Sequence, residues 1–164
     1  MLTTERLVLR KPTLDDVEAA TQMLRDPQVM RWLGGVEEDP AATVRRWIED
    51  WDRYPAGKFV VVLPNGAFVG RVGLNFFDTA TWTRSTAAGT QPELGWALAR
   101  EHWGNGYATE ASRAVRDWFA APHLISLIDP SNRRSKHVAK RLGAHPAETV
   151  DLPGDGPHIV WVHP

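Results

Sequence analysis

The stretch ELGWALAREHWGNGYATEA, Glu93 to Ala111, carries an alternating apolar strand into a glycine-bearing loop that opens directly into a helix. Leu94, Trp96 and Leu98 recur with the period of two that marks a strand. Ala111, Ala114, Val115, Trp118 and Phe119 then follow the i, i+3, i+4, i+7, i+8 spacing of one buried helix face. Gly104 and Gly106 have no Cβ, so the connecting backbone can adopt positive φ and come close to a ligand. The N–H groups of the first helical turn point the same way and add the partial positive charge of a helix N-terminus. Such a loop can hold a phosphate or pyrophosphate, although two glycines between a strand and a helix also serve as a plain tight turn.

The usual nucleotide fingerprints are absent. A P-loop needs Gly-Lys-Ser or Gly-Lys-Thr at its end, and a Rossmann loop needs a third glycine and an acidic residue after the next strand. Working outward, TERLVLRKPTLDD near the N-terminus reads as a strand through Leu7 and Leu9, a turn, and a helix capped by Thr13. Helical patterns cover 14–24, a short turn at 27–33, and 40–53, where Trp47 and Trp51 share a face. Phe59 to Leu63 and Ala67 to Phe76 form a hairpin around Pro64-Asn65-Gly66. Residues 78–91 read as a polar loop. A short strand from Leu124 to Ile128 precedes the helical segment DPSNRRSKHVAKRLGA. Residues 144–156, rich in proline and glycine, lead as a loop into a last strand from His158 to His163. The expected fold class is α/β (α+β): one domain over residues 1–164, with a mixed, mostly antiparallel sheet flanked by helices.

Glu101-His102-Trp103-Gly104-Asn105-Gly106 resembles the acyl-coenzyme A loop of the GNAT acetyltransferase superfamily, whose pattern is Gln or Arg, two residues, Gly, one residue, then Gly or Ala. The first position departs, with Glu101 where the family carries Gln or Arg; the backbone cradle does not depend on that side chain. The wording WGNGYATEA is similar to the branch that contains ribosomal-protein N-terminal acetyltransferases. Asn132, Ser135, Leu142 and Gly143 resemble that branch's second diagnostic element, and the likeness spans about the whole chain.

The resemblance implies acetyl-CoA as co-substrate, held by Trp96, Ala97 and Leu98 through their backbones, by His102, Trp103, Gly104, Asn105, Gly106, Tyr107, Ala108 and Thr109 around the loop, and by Asn132 and Ser135. Many relatives use a tyrosine on the later helix to protonate the leaving thiolate. Tyr54 and Tyr107 are the only tyrosines here and neither sits there, so Ser135 takes that place. Ser135 shares a helical face with Val138 and Leu142; a hydrogen bond to a neighbouring carbonyl is its plainer use. Glu93, at the start of the acetyl-site strand, is the candidate base for the incoming ammonium; a carboxylate there is also an ordinary surface group. The acceptor amine is expected to enter past residues 30–40 and 145–157. Arg31 and Trp32 form an aromatic-walled lid, with Glu37, Glu38 and Asp39 as an acidic attraction for a cation.

The 164 residues can bury roughly 70% of their unfolded surface. No cysteine is present, which removes disulfides, a cysteine nucleophile and thiolate metal ligation. The histidines show no metal spacing, so no metal is expected. The longest apolar run is far short of a membrane span, no hydrophobic leader opens the chain, and a cytoplasmic protein without membrane contact is expected. The net charge of −1 gives no global attraction for nucleic acid. Monomer and homodimer are both open. The leading function is N-acetyl transfer to a peptide N-terminus or a small amine. The alternatives are a non-catalytic acyl-CoA binder, a transferase of longer acyl groups, and a nucleic-acid module using Arg133, Arg134, Lys136, Lys140 and Arg141.

Overall fold

The computed structural model describes residues 1–164. The strands are β1 (Leu2–Thr3), β2 (Val8–Arg10), β3 (Lys58–Val62), β4 (Phe68–Asp78), β5 (Thr83–Arg84), β6 (Gln91–Leu98), β7 (Ile125–Ile128), β8 (His145–Leu152) and β9 (Gly156–Val162). The helices are α1 (Val17–Leu24), α2 (Pro27–Met30), α3 (Pro40–Arg53), α4 (Tyr107–Phe119) and α5 (Arg133–Arg141). The strands make one sheet in the order β1-β2-β3-β4-β6-β7-β9-β8, with β5 hung on β4. Every pairing is antiparallel except β6 with β7.

Each face of the sheet carries its own core. On one, Leu7, Phe59, Val61, Val72, Leu74, Leu94 and Leu98 meet Ala111 and Val115 of α4. On the other, Ala97 and Ala99 meet Ala20, Met23, Leu24, Val44 and Trp47 of α1 and α3. Each fully buried Leu or Val contributes about 1.5–3 kcal/mol, so these two layers fix the strand order. The helix ends are set by short polar side chains. Asp39 accepts from the Ala42 N–H at 3.0 Å with Pro40 in the first turn, and Asn132 accepts from the Ser135 N–H at 3.1 Å. No helix is long and apolar enough to cross a membrane.

Two sequence expectations change. Residues 145–152 are the edge strand β8, paired with β9 around a bulge between Pro146 and Thr149. Prolines are tolerated because an edge strand need not donate on its outer side. Trp118 lies on the margin of α4, 44% exposed, with its ring edge-on to Phe59 at 5.3 Å. Ala111 and Val115 are buried as their spacing predicts, and Ser112 rather than Trp118 is buried beside them.

Candidate active site

β6 and β7 are the only parallel neighbours, and their ladder consists of one pair, Glu93 with Ile125. Beyond it the strands diverge. The orientation of the β6 backbone follows from the Ala99 N–H, which donates to the Val69 carbonyl at 2.9 Å. Positions 95, 97 and 99 therefore face β4, and positions 94, 96 and 98 face the gap. Side chains satisfy two of the gap-facing carbonyls. Ser126 Oγ donates to the Leu94 carbonyl at 2.6 Å, and Trp103 Nε1 donates to the Leu98 carbonyl at 2.9 Å. Between them the Trp96 peptide edge faces open space. Ala97, expected to contribute through its backbone, spends its backbone on β4 and offers the gap only a surface.

Ser126 is itself held. Its one hydroxyl hydrogen is used on Leu94, so the contact with His163 Nε2 at 2.9 Å requires Nε2 to be the donor. Burial lowers the His163 pKa to about 4, which keeps the ring neutral, and the hydrogen bond to Ser126 selects the Nε2–H tautomer. The fork between the strands is thus held by a serine and a histidine where backbone hydrogen bonds have run out.

The gap opens into a cleft of about 1110 Å3. Its floor is the Trp96–Leu98 edge, and one wall is His102, Trp103, Gly104, Gly106, Tyr107, Ala108 and Thr109. The other wall is the start of α5, with Asn132, Arg133, Arg134, Ser135 and Arg141. Gly104 and Gly106 have φ of +79° and +80°, the left-handed region that favours glycine, and a Cβ on Gly104 would meet nothing within 4 Å. Both features fit a backbone cradle for phosphate at the N-terminus of the thirteen-residue α4. Arg134 lies over the Trp103 ring at 3.9 Å, adding a cation beside the cradle.

Not every expected loop residue faces the cleft. Asn105 is outside its lining; its amide braces the loop by donating to the His102 and Trp103 carbonyls at 3.1 and 3.2 Å. Arg6 donates to the Asn105 carbonyl at 3.0 Å and pairs with Glu110 at 2.7 Å. This clamp of the loop against the N-terminal strand was invisible in the sequence, because its partners lie about a hundred residues apart.

At the fork a smaller cavity of about 100 Å3 adjoins the cleft, sharing Trp32, Leu33, Trp96, Asn132 and Ser135 with it. Glu93, Asn75 and Arg71 form its inner wall. The β4–β6 register puts Asn75 opposite Glu93, and Gly73 opposite Gly95. Asn75 Nδ2 donates to Glu93 Oε2 at 2.7 Å, and Asn75 Oδ1 accepts from Lys58 Nζ at 2.6 Å. Lys58 is backed by Asp50 at 3.7 Å, and Asp50 by Arg84 at 2.9 Å.

Burial raises the Glu93 carboxyl above the ordinary carboxylate range, opposed by the Asn75 hydrogen bond and by the Lys58 and Arg71 charges. Burial, reinforced by Arg71 and Arg84, pushes Lys58 down to about 7. Asn75, Lys58 and Arg71 were missed in the sequence; only the strand register brings them beside Glu93.

Of the expected acceptor residues, Trp32 lines both cavities, while Arg31 lines only the cleft and lies over the Trp32 ring at 4.4 Å. The acidic run does not gather around an amine site: Asp39 caps α3 and Glu37 reaches Arg46 at 3.8 Å. No residue of 145–157 lines either cavity, since β8 sits at the far edge of the sheet.

Fork, cleft and cradle together define the class: the chain belongs to the acetyltransferase (GNAT) domain family, which it matches over residues 6–145. Among curated proteins it is similar to the uncharacterised protein YkkB of Bacillus subtilis (strain 168), 31% identical over 162 residues that span 91% of this chain and 87% of that one. Among solved structures it is similar to an acetyltransferase from Agrobacterium tumefaciens str. C58, 28% identical with a TM-score of 0.81, covering 99% of this chain and 93% of that one. It shares its fold with AAC(6')-Ib, solved with paromomycin and acetyl-CoA, at 20% identity and a TM-score of 0.77 over 97% of this chain and 93% of that one.

Proposed function

We propose that the protein transfers the acetyl group of acetyl-CoA to a primary amine, on a small molecule or a peptide N-terminus, by direct attack in a ternary complex. The observation that carries this reading is the free Trp96 peptide edge, set between a glycine cradle at a helix N-terminus and a buried carboxylate. Acetyl-CoA supplies an activated thioester, and the acetyl-CoA in the AAC(6')-Ib structure supports that choice of donor. The remaining chemistry belongs to this chain. The gap-facing edge at Trp96 can pair with an extended arm like an added strand and offers an N–H toward a carbonyl oxygen. Gly104, Gly106 and the first turn of α4 cradle phosphates, with Arg133, Arg134 and Arg141 as counter-charges.

Glu93 takes the proton from the incoming ammonium, and burial, by raising its pKa, makes it a stronger base than an exposed carboxylate. Ser135 stands at the neck between the cavities. Its Oγ accepts from Asn132 Nδ2 at 3.1 Å, which leaves its hydroxyl hydrogen free to donate toward a leaving sulfur. No covalent enzyme intermediate is needed.

Titration of the protein with acetyl-CoA and coenzyme A by calorimetry, followed by thiol release with an amine panel, tests the proposal. Micromolar binding and amine-dependent thiol release are expected, and Ser135→Ala should lower turnover about 100-fold at unchanged coenzyme affinity. Absence of acetyl-CoA binding would remove the transferase reading. Binding without release on any amine would favour the acyl-CoA binder.

A further inference from the structure

The inner wall of the smaller cavity carries two charged residues, Glu93 and Arg71, and only the first has a protein partner. Glu93 is held by Asn75, Lys58 by Asn75 and Asp50, and Arg84 by Asp50. Arg71 reaches the same wall from β4 with no hydrogen-bond or ion-pair partner, and its guanidinium feels Glu93 and Glu37 only as through-space charges. A guanidinium presents five donors in a rigid fork, and those of Arg71 stay open to the cavity, free to meet a ligand. The backbone makes room beside it. A Cβ on Gly95 would stand 3.4 and 3.5 Å from the Glu93 carboxylate oxygens and 3.7 Å from Arg71 Nη1. The inner wall therefore presents an anion on one side of a glycine floor and a free cation fork on the other, close together yet not in contact with each other, while Asp129, the other carboxylate of the lining, accepts from the Ser131 N–H and hydroxyl.

We propose that the acceptor is a small amino acid: a primary amine that also carries a free carboxylate a few bonds away, with the amine at Glu93 and the carboxylate on Arg71. This rests on the acetyl-transfer reading above and names its substrate class. Two charge-assisted contacts of about 2.8 Å each spanning the Gly95 floor leave room for only a short link between nitrogen and carboxylate, as in an α- or β-amino acid. The cavity, about 100 Å3, takes such a head group, while Trp32 and Leu33 at its mouth face whatever side chain follows. Arg71 is also what selects. A peptide N-terminus or a simple alkylamine satisfies Glu93 but leaves the guanidinium as unpaired as it is without ligand.

The test is saturation-transfer NMR on the intact protein with coenzyme A present, using L-α-amino acids, their carboxamides and the corresponding decarboxylated amines as probes. Coenzyme A affinity is first measured by calorimetry on the same samples. The expected result is binding of one or more free amino acids, at least tenfold weaker binding of the matched amides and amines, and a loss of about 100-fold for the acids alone in Arg71→Met. Arg71→Lys should restore part of that loss, since it keeps the charge but not the fork. A merely structural Arg71 would lower binding of all three probe sets alike.

Equal or better binding of amides or decarboxylated amines, acid binding unchanged in Arg71→Met, or no amino acid bound by a protein that binds coenzyme A would each overturn this inference and leave the transferase standing. Failure to bind coenzyme A would bring down the transferase reading itself. Should Arg71→Met not fold, the wild-type preference and Arg71→Lys decide.

Discussion

The two ends of β6 build their sites in opposite ways. At the C-terminal end, residues 99–109 make the loop proposed to cradle phosphate from consecutive backbone, with two left-handed glycines and a helix start. At the N-terminal end, the wall proposed to receive the acceptor takes Lys58, Arg71, Asn75 and Glu93 from three different strands and joins them by register. One end is written locally, and the other exists only once the sheet has formed. The difference separates what the two ends tolerate. The cradle depends on the absence of side chains, and the wall depends on particular side chains facing one another.

The largest effect is expected from filling the cradle. Gly104→Trp combined with Gly106→Trp places two large side chains at φ near +80° where only hydrogen now stands, strained and obstructive together. Coenzyme A affinity should fall by more than 100-fold in calorimetry, while the acceptor wall, built on other strands, keeps its amino-acid binding. If the double variant binds coenzyme A as the wild type does, the cradle is a plain turn. The contrast between the two ends then disappears.

Next comes the wall itself. Glu93→Gln keeps the shape and the link to Asn75 but removes the carboxylate. Turnover should fall about 100-fold with coenzyme A affinity unchanged, and the acidic limb of the pH–rate profile should vanish. A retained limb would assign the base to water or to the amine's own equilibrium, leaving Glu93 as a charge that orients the acceptor.

These two expectations also mark what could be read without the structure. The run from β6 through the glycine loop into α4, the helix α3 and the hairpin of β3 and β4 were legible, because each rests on local propensity or on hydrophobic period. Glu93 and Ser135 could be nominated by position along the chain. Lys58, Asn75 and Arg71 could not. Each looks like an unremarkable polar residue in a strand, and what matters is the cross-strand neighbour, which a one-residue slip would send to the opposite face. β8 was hidden for another reason: Pro146 and the Pro153-Gly154 turn that follows the strand together read as one loop, and an edge position with a bulge lets the proline pair. Trp118 misled because its spacing suits burial, yet the neighbouring face of Ala111 and Ser112 lets α4 approach the sheet more closely.

The smallest effect sharpens the comparison most, because it reaches the wall through a residue that touches no substrate. Lys58 titrates at about 7, lowered first by burial and then by Arg71 and Arg84, with Asp50 and Glu93 opposing. While protonated it lowers the Glu93 pKa, both as a charge and by fixing Asn75 through Oδ1. Lys58→Met removes that influence, so Glu93 protonates more readily and the acidic limb of the pH–rate profile moves to higher pH, with a several-fold loss of rate at a pH below the limb and little change well above it. A limb that stays in place or moves down would show that Lys58 does not act on Glu93.

Stability supplies an independent sign. The native pKa lies below the ordinary lysine value of 10.5, so between about 7 and 10.5 the unfolded chain binds more protons than the native one. Wild-type stability should therefore rise with pH across that window, by up to about 1.4 kcal/mol per unit, and remain unaffected by this group below it. Denaturant unfolding of Lys58→Met at pH 7 and pH 9.5 should lack that rise. Should both proteins respond alike, the lysine is not buried as placed. The acceptor wall would then lose the charge network that distinguishes it from the cradle.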